Sequence, residues 1–115
     1  MNREFAPYEP SLNLKELGFD EPCFGYYIEL VKPVEGILTI EKCDKNIDGC
    51  LAPTFSQAFR WFREKYGYLP NIHDFNGNFK ATLSGNCNWL GSWTKTYEEA
   101  ELACLKKLIE IVKNK

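Results

Sequence analysis

The chain contains one histidine, His73, which is followed directly by Asp74. A histidine oriented by a carboxylate can activate a cysteine thiol for nucleophilic attack. No cysteine of this chain lies in a local motif of the kind that surrounds a catalytic cysteine, and their spacing lacks the paired ligands of a zinc site. The sequence therefore predicts no catalytic residue, no metal site and no cofactor. It also predicts that the five cysteines are thiols, namely Cys23, Cys43, Cys50, Cys87 and Cys104.

One carboxylate lies where an apolar side chain is expected. Glu101 falls inside the apolar arc of the last predicted helix, and a carboxylate at such a position must reach solvent or meet a buried donor. The first alternative is a glutamate in the early turns of the helix, which the helix dipole favours. The second alternative is a carboxylate that faces a ligand.

Residues 84–93 combine two tryptophans with two asparagines, two serines and two glycines. Trp89 and Trp93 would supply contact area and Asn86 and Asn88 would supply hydrogen bonds, as at many recognition surfaces. The same composition also describes a turn followed by a strand that buries its indole rings. The predicted binding residues of the chain are Trp61, Trp89, Trp93, Asn86, Asn88, His73 and Glu101.

The composition excludes several classes of partner. A net charge of -2 and a pI of about 5.4 give no support for the basic surface that nucleic-acid binding needs. The N-terminus lacks the apolar run of a secretory signal, and no stretch approaches the ~20 apolar residues of a membrane-spanning helix. We therefore expect a cytoplasmic protein with neither a membrane nor a nucleic acid as its partner. Aromatic residues make up 15% of the 115 residues, so the core or a surface must be rich in aromatic rings.

The first half of the chain predicts a short helix and a hairpin. Ser11 is predicted to cap the helix, and Gly18 is predicted to end it. Residues 24–31 and 36–43 are rich in β-branched and aromatic side chains, which predicts an antiparallel pair of strands. Residues 44–49 have the composition of a turn.

Two capping boxes predict the starts of the two main helices. Thr54 with Gln57, and Thr96 with Glu99, each pair a hydroxyl with a carboxamide or carboxylate three residues later. The first of these helices carries Trp61 at the edge of its apolar arc, which predicts a half-exposed indole ring. The second helix is apolar over more than half of its circumference. Its second apolar face must therefore be covered by the other helix, by the N-terminal segment or by a second copy of the protein.

The second half of the chain also predicts a hairpin. Asn76 and Gly77 are a strong turn signal between residues 72–75 and 79–83. A further short strand is predicted over residues 89–94. A hairpin and a helix thus occur in both halves of the chain.

These elements predict a single α+β domain over residues 1–115. Residues 1–23 form an N-terminal arm with a short helix, and residues 24–67 and 68–115 form two ββα units. The hairpins of the two units are predicted to join one mostly antiparallel sheet, and the two main helices are predicted to cover it.

Three segments of the chain resemble one family of proteins. They read LKELGFDEPCFGYY over residues 14–27, FSQAFRWFREKY over residues 55–66 and YEEAELACL over residues 97–105. These segments are similar to those of small uncharacterised proteins that phages and prophages of gut anaerobic bacteria encode. The family brings no established activity, so the resemblance implies a phage or prophage setting and no mechanism.

We expect a non-enzymatic accessory protein that binds another protein or a second copy of itself, as a homodimer, through exposed aromatic side chains. The alternative is a protein that sequesters a small ligand or nucleotide in a pocket lined by Trp89, Trp93, His73 and either Arg60 or Arg63. An enzyme of unknown type is a third alternative. A flat aromatic patch would favour the protein partner, whereas a closed apolar pocket with converging polar groups would favour the ligand.

Overall fold

The structure is a computed structural model, which describes residues 5–28, 37–39 and 49–114. The chain divides into two units, Met1–Thr54 and Phe55–Lys115. The elements of the first unit are α1 (Tyr8–Glu16), β1 (Tyr26–Ile28), β2 (Ile37–Thr39) and β3 (Gly49–Leu51). Those of the second unit are α2 (Phe55–Tyr66), β4 (Tyr68–Phe75), β5 (Asn78–Gly85), β6 (Trp89–Leu90) and α3 (Tyr97–Lys113).

The first unit contains a three-stranded antiparallel sheet in the order β2-β1-β3. Tyr26 pairs with Thr39 on one side and with Leu51 on the other. The predicted pairing of β1 with β2 is confirmed, and the parts of these two predicted strands over residues 29–36 and 40–43 lie outside the described residues. Strand β3 was not predicted, because its first residue, Gly49, falls in the predicted turn over residues 44–49. Residues 44–48 of that turn lie outside the described residues.

Helix α1 begins earlier than its sequence predicts. Its N-cap is Pro7, and Ser11 lies buried inside the helix, where its hydroxyl donates to the Ala6 carbonyl oxygen at 3.2 Å. The prediction that Ser11 caps the helix was therefore wrong. The predicted end at Gly18 is confirmed: this residue has a φ of 97°, and the Phe19 N–H donates to the Leu14 carbonyl oxygen at 2.9 Å, as in a Schellman motif.

A small aromatic core holds the first unit together. It contains Phe5, Tyr27, Cys50 and Ala52, and Tyr8 packs against it. The rings of Tyr8 and Tyr27 meet edge to face with their centroids 5.4 Å apart. The Tyr27 hydroxyl donates to the carbonyl oxygen of Ala6 at 2.8 Å, and burial, with a smaller contribution from Cys50, raises the pKa of this phenol to about 12. The phenol is therefore a neutral donor that ties the start of the chain to β1.

The second unit contains an antiparallel sheet in the order β4-β5-β6. Asn76 and Gly77 form the predicted two-residue turn between β4 and β5, and their φ values of 52° and 79° fit a type I′ turn. Strand β6 is short, but the chain continues along β5 to Thr94, which exchanges both backbone hydrogen bonds with Phe79 at 2.8 and 2.6 Å. The predicted hairpin and the predicted short strand after it are both confirmed.

Helices α2 and α3 contact each other and pack on the same sheet. Helix α3 begins as predicted at Thr96, whose hydroxyl accepts the Glu99 N–H at 3.1 Å and donates to the Glu99 carboxylate at 3.0 Å. Helix α2 covers part of the second apolar face of α3. The side chains that the two helices bury are Phe55, Ala58, Trp61, Phe62, Ala100, Cys104, Leu105, Leu108 and Ile109.

The α+β class and the antiparallel pairing are confirmed, but the described strands form two sheets where we predicted one. The first hairpin receives β3 as its third strand, and the second hairpin receives β6. Helix α2 belongs to the same unit as the strands that follow it. Within the described ranges, no helix combines the length and the apolar composition that crossing a membrane requires.

Candidate interaction surface

The sheet of the second unit has one face that the helices cover and one that they leave exposed. Residues that pair directly across an antiparallel ladder project their side chains to the same side, and this side alternates along each strand. Ala81 and Leu83 are buried beneath the helices, whereas Lys80 and Thr82 point the other way. The exposed side, called the open face below, consists of Leu69, Asn71, His73, Phe75, Asn78, Lys80, Thr82, Ser84, Leu90 and Trp93.

Large apolar side chains on the open face are accessible to solvent. Phe75 is 65% exposed, Leu90 is 75% exposed and Trp93 is 51% exposed. The rings of Phe75 and Trp93 lie 6.4 Å apart between centroids, and Leu69 is a further exposed apolar residue. About two thirds of the Phe75 side chain and half of the Trp93 side chain are therefore accessible to a partner.

The polar groups of the open face carry positive or no charge. Lys80 pairs with His73 in the ladder, and the Lys80 ammonium lies 5.5 Å from the centroid of the Trp93 ring. The His73 Nε2 atom lies 3.0 Å from the Thr82 hydroxyl oxygen. None of the ten residues of this face has a carboxylate. The face therefore combines four apolar side chains with neutral polar groups and the Lys80 ammonium at its centre.

The outer edge of β4 is poorly suited to pairing with a further strand. In a two-residue hairpin the flanking residues, here Phe75 and Asn78, are joined by backbone hydrogen bonds. The backbone N–H and C=O groups of every second residue of β4, counted back from Phe75, therefore point toward β5. The bonds between Phe79 and Thr94 fit this alternation, because they direct the odd-numbered residues of β5 toward β6. Pro70 consequently belongs to the residues whose backbone polar groups point away from β5. Because proline has no N–H, it interrupts the row of backbone donors along this edge.

The two predicted asparagines differ in their surroundings. The Asn86 side-chain amide donates to the Tyr66 carbonyl oxygen at 2.9 Å, and the Asn86 backbone N–H donates to the Gly67 carbonyl oxygen at 3.0 Å. Asn86 therefore ties the end of α2 to the end of β5, which is a structural role. Asn88 is exposed.

The three predicted tryptophans do not lie together. Trp93 belongs to the open face, whereas Trp89 pairs with the buried Leu83 and projects to the helix-covered side, where it is half-buried. Trp61 is only 6% exposed, so the prediction of a half-exposed ring was wrong. Helix α2 buries Trp61 together with Phe62, and the two rings meet edge to face with their centroids 5.0 Å apart.

Glu101 lies apart from the open face, on α3. It is half-buried, and burial raises the pKa of its carboxyl group, with a further contribution from the charge of Glu98. One turn further along the same helix, burial raises the pKa of the Cys104 thiol to about 12, with smaller contributions from Cys87 and Glu101. Ionisation of these two groups is thus unfavourable, and the Cys104 thiol is neutral at physiological pH.

We predict that Glu101→Gln stabilises the protein at neutral pH. A carboxyl group with a raised folded-state pKa binds more protons in the folded than in the unfolded state, so stability falls as the pH rises through the folded-state pKa. The variant should raise the melting temperature by about 2 °C at pH 7. At pH 3.5, where the carboxyl group is protonated in both states, this gain should disappear. Thermal unfolding followed by circular dichroism at the two pH values measures the effect.

Glu64→Gln is the matched control for this prediction. Glu64 is exposed on α2, so the same loss of charge should change the melting temperature by less than about 1 °C at either pH. An equal gain in both variants at pH 7 would attribute the effect to net charge and contradict the assignment to burial of Glu101.

The residues predicted for a ligand pocket do not converge on one site. His73 and Trp93 lie on the open face, whereas Arg60 and Arg63 are exposed on α2, which packs on the other side of the sheet. Among the described residues, no group of three or more histidines, cysteines or carboxylates is arranged to hold a metal ion. The four cysteines within the described ranges are thiols, and Cys43 lies outside them.

Of the ten residues of the open face, sequence reasoning named only His73 and Trp93 as binding residues, and it missed Phe75, Lys80 and Leu90 among the others. Phe75 stands directly before the Asn76-Gly77 turn, and alternation from His73 places both residues on the same side of a strand. That signal was available in the sequence. No signal in the sequence indicated the side of the sheet that the helices would cover, because both sides of β4 contain apolar residues.

Comparison of the chain with known protein families, with curated proteins and with solved structures finds no match.

Proposed function

We propose that this protein is a non-enzymatic interaction module and that the open face binds a partner protein. The observation that carries this proposal is the exposure of Phe75, Leu90 and Trp93 on one side of a sheet whose other side two helices cover. The three side chains lie on one face of the sheet, and exposed apolar side chains gathered on one face often mark a functional contact.

The partner is proposed to be a different protein and not a second copy of this chain. A twofold dimer brings the same patch of each copy together. On the open face, this arrangement would bring the Lys80 ammonium groups of both copies close to one another without a carboxylate from the same face to pair with them. Juxtaposed like charges are costly at an interface, so a homodimer through this face is the less favourable alternative.

The biological setting of the module rests on the sequence. The resemblance of residues 14–27, 55–66 and 97–105 to phage- and prophage-encoded proteins supports an accessory protein that acts in the cytoplasm of a bacterial host cell. A partner protein of the host or of the phage would fit this setting.

Site-specific photo-crosslinking tests the proposal. A photoreactive phenylalanine analogue at Phe75, in the full chain produced in its host cell, should form an adduct with one partner protein. The double variant Leu90→Ser and Trp93→Ser should reduce the yield of that adduct at least tenfold, because it removes the apolar contact while leaving the crosslinking position intact.

Phe24 provides the matched control, since it is also a phenylalanine and is 70% exposed, but belongs to the first unit. The analogue at Phe24 should not give the adduct. Identical adducts from both positions, an adduct that the double variant leaves unchanged, or an adduct of this chain with itself alone would contradict the proposal.

A further inference from the structure

We infer that the segment docked on the open face is an amphipathic helix of the partner protein, with carboxylates beside its apolar stripe. This inference rests on the proposed function and specifies the chemistry of the partner. It follows from three properties of the second unit, namely its unfavourable strand edges, the shape of its uncovered sheet face and the charge of that face.

The edges of the sheet disfavour binding by strand addition. An added strand needs a regular row of backbone donors and acceptors. Pro70 interrupts the donors of the outer edge of β4, and β6 at the opposite edge contains only two residues. A partner strand would therefore meet an interrupted row of donors at one edge and a two-residue strand at the other, which favours the face as the docking surface.

The shape of the open face suits a helix. A sheet with helices on one side can bury its other side beneath a further helical layer. The face extends along β4 from Leu69 to Phe75, which is roughly 20 Å at the rise of a β-strand. About 14 residues of α-helix span that length. Side chains at positions i, i+3, i+4 and i+7 of such a helix would meet the apolar groups of the face.

The charge of the open face selects carboxylates. Lys80 lies at its centre beside His73, and the Lys80 ammonium already lies near the Trp93 ring. A helix that covers this ammonium with apolar side chains must also supply an anionic group, since a buried unpaired charge is costly. Carboxylates at the margin of the apolar stripe would satisfy this requirement.

A nucleic acid would present anionic phosphates to the same face, but the observations favour a peptide. One lysine is far fewer than the several phosphate contacts on which nucleic-acid affinity depends. Leu90, which is 75% exposed, and Leu69 are aliphatic, whereas bases stack on aromatic rings. Aliphatic and aromatic groups together fit the apolar stripe of a helix.

Three synthetic peptides of about 14 residues test the inference against the isotopically labelled full-length protein. The first is an amphipathic helix with Leu in the stripe and Glu beside it, the second has Lys in place of Glu, and the third is the Glu peptide with a central proline. The Glu peptide should shift the backbone amide signals of Lys80, Thr82 and Leu90 and should bind at least tenfold more tightly than either of the others. Raising the salt concentration should weaken its binding.

Charge reversal at Lys80 provides the decisive variant. Lys80→Glu should abolish or invert the preference for the Glu peptide over the Lys peptide. Lys106→Glu reverses a charge on the exposed side of α3 and should leave the preference intact. Equal binding of the Glu and Lys peptides, undiminished binding of the proline peptide or no binding of the Glu peptide at millimolar concentration would overturn the inference. Tighter binding of an oligothymidylate at the same amides would also overturn it.

The crosslinking experiment separates the two proposals. If the adduct at Phe75 depends on Leu90 and Trp93 while the peptides show no preference for charge or helix, the acidic helix is excluded and the interaction module stands. If the adduct does not form, the proposed function itself fails.

Discussion

Phe62→Ala is expected to lower the free energy of unfolding by about 4 kcal/mol. Phe62 is fully buried on α2, and its ring lies 5.0 Å from that of Trp61 and 6.0 Å from that of Tyr66 between centroids. Truncation removes the apolar contacts of the ring and leaves a cavity among aromatic neighbours that are too rigid to fill it. Urea denaturation followed by circular dichroism measures this loss.

Phe75→Ala is the matched control, because it makes the same chemical change at a position that is 65% exposed. Its free energy of unfolding should stay within about 0.5 kcal/mol of the unaltered protein. The pair of variants thus compares the covered and the uncovered side of the second unit. A loss of several kcal/mol in Phe75→Ala would mean that the open face is covered in solution and would contradict its assignment as an interaction surface.

Local signals in the sequence were sufficient to predict several elements correctly. The Asn76-Gly77 turn specifies a hairpin because both residues tolerate positive φ values. Thr96 and Glu99 specify the start of α3 because the hydroxyl satisfies a backbone N–H that no helical carbonyl can reach. These interactions involve residues within a few positions of one another, so they do not depend on the rest of the fold.

Elements that depend on tertiary contacts were not predictable in the same way. Strand β3 has three residues, Gly49–Leu51, and exists as a strand only because β1 offers it an edge. Ser11 is of a residue type that often caps helices, but it lies inside α1, and its hydroxyl donates a hydrogen bond to the carbonyl oxygen of Ala6. The division into two sheets likewise depends on which hairpin each short strand joins, and strand propensity alone does not determine this.

The candidate surface was only partly predictable for a related reason. Residue type identified Trp93 and His73, and the structure places both on the open face. Residue type also identified Trp61, which α2 buries, and Asn86, whose amide holds the end of that helix. A tryptophan or an asparagine suits a binding surface and a packed interior equally well. Whether such a residue is buried or exposed depends on which side of the sheet the helices cover. This arrangement is a property of the whole unit and not of a short stretch of sequence.

Gly85→Ala is expected to cost about 3 kcal/mol of folding free energy. Gly85 ends β5 with a φ of 83°, a left-handed conformation that is unfavourable for alanine. A methyl group at this position would also collide with the backbone carbonyl oxygen of Gly67 and would lie 3.1 Å from the Leu69 Cγ atom. The same Gly67 oxygen accepts the Asn86 N–H. Relief of the collision must therefore disturb the junction that joins α2 to the sheet.

Gly77→Ala separates the collision from the conformational penalty. Gly77 has a φ of 79°, but apart from its two chain neighbours no residue places an atom within 4 Å of the position that its methyl group would take. Its substitution should cost about 1 kcal/mol, which is the conformational part alone. In urea denaturation, the losses of unfolding free energy in the two variants should therefore differ by about 2 kcal/mol, which is the cost of the collision with the Gly67 carbonyl oxygen. Equal losses would mean that β5 and the end of α2 do not approach as closely as the structure places them, and the role assigned to Asn86 would fail with them.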